Sequence, residues 1–253
     1  MSVTTEHHDD GLLIITLNDP ERRNPIGHER RKALRARLSE AEADPAVRAV
    51  VLTGAGGHFS AGGDVREQKD RSICEHRERF ALIKDLVGRM ARFSKPLVAG
   101  VEGWAAGGGF SLALACPTVV ASRNARFVAS FTKVGLMPDM GLFATLPARV
   151  GPARARRLLL TGRVIDAPEA LTLGVVDELT DPGDAARLAG VLALEEAKTA
   201  PLPRQFIVDW FARDLGAALD YEQTLQPALV NSSDAAEGRA AFAEKRPPRF
   251  RGC

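Results

Sequence analysis

Two glycine corners, each following a short apolar run, constrain this chain more than any other feature. The first run, residues 49–52, leads through glycines into Phe59-Ser60-Ala61-Gly62-Gly63-Asp64. The second, residues 97–101, turns through Gly103 and a triple glycine, Gly107, Gly108 and Gly109, into residues 110–115, which are good helix material. Strand, glycine turn and helix start leave backbone N–H groups unpaired and pointing outward. Glycine also lets a ligand approach the main chain without meeting a Cβ. One such corner reads equally as a tight turn in which glycine only relieves crowding. Two corners, each after a strand, can each aim one N–H at the same point. Two convergent donors form an oxyanion hole, the device that stabilises charge developing on a carbonyl oxygen.

The segments FSAGGD and GWAAGGGFSLALAC, with a later GLMPDMG, resemble the crotonase family, the enoyl-CoA hydratase/isomerase superfamily, in order and spacing over nearly the whole chain. The resemblance implies an α/β fold, a crotonase-like spiral of ββα units with a helical C-terminal trimerisation region. It divides the chain into a core, residues 1–195, and a helical region, residues 196–253. The implied partner is an acyl-CoA thioester, with no cofactor beyond the coenzyme A of the substrate, and the implied assembly is a homotrimer or a dimer of trimers. Matching the motifs residue by residue makes the N–H groups of Gly63 and Gly108 the oxyanion donors. It sets Arg22, Ala61, Asp64 and Phe131 beside the substrate.

Composition fits a globular enzyme. Hydrophobic residues make up 45% and charged residues 26% of 253 residues, which excludes a disordered or fibrous chain. A net charge of +2 argues against nucleic-acid binding driven by bulk charge. Cys74, Cys116 and Cys253 have no metal-ligand or CxxC spacing and suit reduced thiols in the cytoplasm. No apolar run approaches the roughly 20 residues that span a bilayer, and the polar, acidic N-terminus is not a secretory signal.

In chain order, residues 11–17 read as a strand closed by Asn18-Asp19-Pro20. Arg22 and Arg23 follow, either to meet phosphates or as a solvated loop. Pro25 opens a helix with Ile26, Leu34, Leu38 and Ala41 on one face and many arginines opposite. Residues 47–52 form a strand buried on both faces. Residues 65–78, of mixed charge, read as a mobile loop turning helical, with lid motion around 66–75. Residues 80–93 form a helix burying Phe80, Ile83, Leu86, Val87 and Met90. Trp104 is expected beneath the pocket. Short strands are expected at 118–121, 126–129 and 175–179. A basic amphipathic helix follows at 152–160, and Asp166 and Glu169 mark a further helix start. From Pro182 the pattern is helical at 185–199, 202–215, 219–230 and 234–244, with Leu219, Leu225 and Leu229 as an apolar stripe.

Hydratases of the resembled family use two glutamates. This chain has Ser111 and Phe131 at those positions, and neither can hold and activate a water. A carboxylate stands instead at Asp139, in Gly135-Leu-Met-Pro-Asp-Met-Gly141, where the resemblance implies the acid of Δ3,Δ2-enoyl-CoA isomerases and of ring-epoxide isomerases of phenylacetyl-CoA breakdown, or the nucleophile of aryl-CoA dehalogenases. One carboxylate suffices for a 1,3-proton shift. Apolar neighbours Leu136, Met137, Met140, Leu142 and Phe143 are expected to raise its pKa. By local chemistry alone, Asp139 reads as a cap of the turn between Pro138 and Gly141. Asp64 reads as a loop support and His58 as a packing residue. The expected activity is double-bond isomerisation. The alternatives are an enoyl-CoA hydratase, with Glu67 or Glu102 as the extra carboxylate, or a non-catalytic CoA-ester-binding homologue.

Overall fold

Runs that are apolar on both sides need cover on both faces, and the central sheet is built that way. The computed structural model describes residues 3–64, 67 and 71–253. The first half runs β1 (Val3–His7), β2 (Leu12–Leu17), α1 (His28–Ala43), β3 (Ala49–Gly54), α2 (Ile73–Ala91), β4 (Leu97–Val101), β5 (Trp104–Ala106) and α3 (Gly108–Leu114). It continues with β6 (Thr118–Ser122), β7 (Arg126–Val128), a 3-10 turn (Phe131–Val134), α4 (Leu142–Val150), α5 (Pro152–Thr161), β8 (Val164–Asp166), α6 (Ala167–Leu173), β9 (Glu178–Thr180) and α7 (Ala185–Glu196). Three helices finish the chain, α8 (Pro201–Phe211), α9 (Leu215–Val230) and α10 (Ser233–Ala243).

Six strands form the main sheet in the order β1-β2-β3-β4-β6-β9, parallel except for the β1–β2 pair. A smaller sheet, β5-β7-β8, stands beside it. Successive side chains of a strand point to opposite faces. Val50, Leu52, Ala99 and Val101 therefore enter the main core with Leu34 and Leu38 of α1 and Ile83, Leu86 and Val87 of α2. Val51, Val98 and Val120 face the other way and are covered by Ala189 and Ala193 of α7. The small residues of α7 bring it close to the sheet: a Cβ on Gly100 would sit 2.9 Å from the Ala186 Cα.

The structure departs from the sequence expectations at several element ends. β1 was not expected, because four of its five residues are exposed and polar patterning hides an edge strand. α1 starts at His28 rather than Pro25, with Ile26 buried just ahead of it. α2 starts seven residues before Phe80, at a capping box in which Ser72 and Glu75 satisfy each other's backbone N–H groups. Residues 65, 66 and 68–70, which include the first part of the expected lid, lie outside the described residues. The last strand begins at Glu178, and Val175 and Val176 are buried in the turn before it. The buried stripe of α9 is Leu215, Leu219, Glu222 and Gln226, whereas Leu225 is exposed. Asp166 caps α6 as its sequence indicates, accepting from the Glu169 N–H at 3.0 Å.

Among the described residues, no helix is long and apolar enough to cross a membrane. No group of three or more His, Cys, Asp or Glu among them is placed to hold a metal ion.

Candidate active site

The two glycine corners meet because the strands feeding them are zipped together in parallel. The Phe59 N–H donates to the Glu102 carbonyl at 2.8 Å and the Ser60 N–H to that of Trp104 at 2.9 Å. The Ala106 N–H returns to the Ser60 carbonyl at 2.9 Å. Both chains then leave the ladder at the same height. Gly62 (φ +90°) turns the first and Gly107 (φ +51°) the second, both in the left-handed region that favours glycine. A Cβ on Gly62 would lie 3.1 Å from the Gly108 nitrogen, and one on Gly108 would lie 3.8 Å from the Gly63 nitrogen. The Gly107 N–H is spent on the Val128 carbonyl at 2.8 Å. The next N–H in that chain, Gly108, and the Gly63 N–H find no acceptor among the described residues. Both border one cavity.

The Asp19–Ile26 segment locks the first corner. Asn24 is fully buried, and its Nδ2 donates to the Ala55 and His58 carbonyls at 2.8 and 2.7 Å. The Ala61 N–H donates to the Arg23 carbonyl, and the Ile26 N–H to that of Gly62, both at 2.7 Å. The Ser60 hydroxyl donates to the Asn24 carbonyl and accepts from the Gly62 N–H. Arg22 does not line the cavity: its guanidinium pairs with Asp19 and, at 2.9 Å, with Asp64. Asp64 and Ala61 do line it, as does the largely buried Phe131. His58 accepts the Trp104 N–H on Nδ1 at 3.2 Å, which fits its reading as a packing residue. Trp104 lies outside the cavity wall, with the Arg126 guanidinium 5.9 Å from its ring centre.

Asp139 stands in the same wall as the two glycines. It lies on the irregular stretch between the 3-10 turn and α4, and α9 holds that stretch in shape. Gln226 receives the Met137 N–H at 3.3 Å, donates to the Met137 carbonyl at 2.8 Å and hydrogen-bonds Asp139. Glu222 receives the Gly141 N–H at 3.0 Å and also the amides of Met140 and Phe143. Met140 sits at φ +57°, a conformation unusual for a side-chain-bearing residue, and it follows the catalytic candidate directly. The sequence reading took the apolar stripe of α9 as core or subunit interface and passed over Glu222 and Gln226. The visible signal was an apolar stripe at helical spacing that continues into two polar residues.

Asp139 is partly buried and borders the cavity. That burial raises its pKa above the ordinary value, although Arg31 and the Gln226 hydrogen bond pull it back part of the way. Burial likewise pushes Glu222 up to about 8, against three backbone N–H bonds that favour its anion, with Asp139 adding to the rise. The other carboxylates weighed from sequence are engaged. Glu67 is in the wall, but the His28 N–H at 2.7 Å and Arg79 at 2.7 Å overcome its burial and hold its pKa low. Glu102 faces away and accepts the Gly183 and Ala185 N–H groups at 3.0 and 3.1 Å, at the start of α7. The Ser111 hydroxyl is buried and turned to the Gly107 carbonyl.

The enoyl-CoA hydratase/isomerase family profile matches residues 7–253. A putative enoyl-CoA hydratase of Thermus thermophilus is 41% identical over 247 residues, 94% of this chain and 97% of the relative. The 1,2-epoxyphenylacetyl-CoA isomerase of Escherichia coli is 37% identical, covering 100% and 99% of the two chains. The solved structure of an enoyl-CoA hydratase from Mycobacterium avium subsp. paratuberculosis superimposes with a TM-score of 0.87 at 33% identity, over 99% of each chain. The chain belongs to the enoyl-CoA hydratase/isomerase family, within the crotonase superfamily. It is an enzyme of the hydratase/isomerase type with the crotonase spiral fold.

Proposed function

We propose that the enzyme moves the double bond of a 3-enoyl-CoA ester to the 2-position, with Asp139 as its single acid/base. The observation that carries this reading is one partly buried carboxylate of raised pKa in the same cavity as two unspent backbone N–H groups. Ionised Asp139 takes a proton from C2. The electron pair moves onto the thioester oxygen, where the Gly63 and Gly108 N–H groups stabilise the dienolate. The same carboxyl then returns the proton to C4. One C–H bond breaks, one forms, and no water is consumed. The second reading, hydration, draws on the hydratase names of relatives. Against it, Glu67 is saturated by its partners, and Ser111 and Phe131 offer no carboxylate to hold water.

The enclosed space is about 170 Å³. A cavity of about 150 Å³ is enough for benzene, so the acyl part is short or carries one ring. The discriminating assay offers the purified protein 3-hexenoyl-CoA and crotonyl-CoA. Conversion of the first without hydration of the second is expected. Hydration of crotonyl-CoA with no isomerisation would overturn the proposal.

The assembly proposed is a homotrimer or a dimer of trimers joined through α8. That helix leaves Leu202, Phe206, Ile207, Trp210 and Phe211 exposed, an apolar patch larger than scattered surface residues explain. Light scattering is expected to give three or six copies, and Phe206→Glu with Trp210→Glu a smaller species. A monomeric wild-type protein would remove the proposal.

A further inference from the structure

We propose that the acyl group received by this cavity ends in a carboxylate and that Arg31 holds it. The inference rests on the cavity being the acyl-CoA site and adds the chemical class of the substrate's far end.

Among the charges in the cavity wall, Arg31 stands out. Asp64 is paired with Arg22, and Glu67 with Arg79. Arg71 donates to the Glu67 carbonyl at 2.6 Å. Arg31, on α1, lines the same wall, and its Nε is buried with no hydrogen-bond partner. Among the described residues, no side chain makes an ion pair with it. Of the opposite charges around it, Asp139 favours its cation most and Glu67 next.

A guanidinium taken out of water without a counter-charge is strongly unfavourable. Here burial works against the Arg31 charge more than Asp139 and Glu67 work for it. In the empty enzyme, water in the cavity can solvate the group. An acyl chain that fills the cavity expels that water. A neutral chain end would then leave the cation buried and unpaired, whereas a carboxylate end replaces the water with two charge-assisted hydrogen bonds. The planar fork of arginine matches a carboxylate in this way, and a lysine does so less well. The thioester end does not compete for Arg31, because its oxygen is directed at the Gly63 and Gly108 amides. The substrate class is therefore the CoA monothioester of a short unsaturated dicarboxylic acid. This choice leaves Asp139 free for the proton, since Arg31 is occupied by the substrate rather than by the base.

The test compares 3-hexenoyl-CoA with 3-hexenedioyl-CoA, esters that differ only in the terminal carboxylate. It uses the wild-type protein, Arg31→Lys and Arg31→Met. Wild type is expected to favour the dicarboxylic ester in kcat/KM by about 10- to 100-fold, the range for one charge-assisted interaction. Arg31→Met should bring that ratio near one, and Arg31→Lys should keep part of it. A wild type without preference, or a ratio unchanged in Arg31→Met, overturns the proposal; the second result would mean that Arg31 serves Asp139 alone. Calorimetric binding of the unreactive esters adipyl-CoA and hexanoyl-CoA separates this from the reaction assigned above. A preference for adipyl-CoA without turnover of either enoyl ester would keep the carboxylate site and remove the isomerase reading. Turnover without any preference would do the reverse. Should Arg31→Met fail to fold, the wild-type comparison and Arg31→Lys decide.

Discussion

Asp139→Asn is expected to lower kcat on a 3-enoyl-CoA ester by about 10²- to 10⁴-fold, the usual contribution of a positioned acid/base. Asparagine has nearly the same shape and keeps a hydrogen bond to Gln226, so the cavity and CoA-ester binding should survive within a few fold. What it loses is the ability to take a proton. Glu222 cannot replace it, because that carboxyl is 2% exposed and is occupied by the amides that open α4. The loss is chemical rather than structural, and stability reports the difference. A buried carboxyl whose folded pKa is raised favours the fold below its unfolded pKa. That advantage is lost as pH rises through the folded value. Asparagine carries no charge to bury, so at neutral pH the variant should melt no lower than wild type. For the same reason the acidic limb of the wild-type rate profile should fall above the ordinary aspartate pKa, since the base must be ionised to work. Full turnover in the asparagine variant would place the base elsewhere, with Glu67 the remaining carboxylate of suitable reach.

Where apolar residues run unbroken, as in β3 and β4, the sequence leaves little choice, since both faces must be covered and only a parallel sheet under helices does that. Caps were equally readable: Asp166 and Glu169 form at α6 the bond their spacing suggests. Elements with no burial pattern escaped notice. β1 is a mostly exposed edge, and β5 and β8 have three residues each, too few for an alternation to register. In the site, Gly63 and Gly108 were named by matching the glycine corners to the resembled family, and so was Asp139, which by local chemistry alone reads as a turn cap. Arg31 left no local mark, since it is one of four arginines on a helix whose polar face is rich in them. Gln226 and Glu222 lie more than 80 residues from the loop they hold, and only the fold of α9 over α2 brings them there. Residues that act through such long-range packing are the part a linear reading loses.

Gly62→Ala should cost both stability and catalysis, for two separable reasons. At φ +90° an alanine is strained by about 1–2 kcal/mol relative to glycine. Its methyl would also sit 2.5 Å from the Ala106 carbonyl oxygen and 3.1 Å from the Gly108 nitrogen. Both neighbours are backbone, pinned by the ladder between residues 59–60 and β5, so no flexible side chain can yield. The corners must move apart, and one N–H then leaves the point where the thioester oxygen sits. Loss of one such donor lowers kcat by about 10²- to 10³-fold. Gly57→Ala supplies the control, because Gly57 has a similar φ of +74° but nothing within 4 Å of its added methyl. Gly57→Ala should therefore show the strain in its melting temperature and leave kcat within a few fold. If Gly62→Ala keeps the wild-type kcat at a lowered melting temperature, the two amides do not share one oxygen and the oxyanion hole must be sought elsewhere in the cavity.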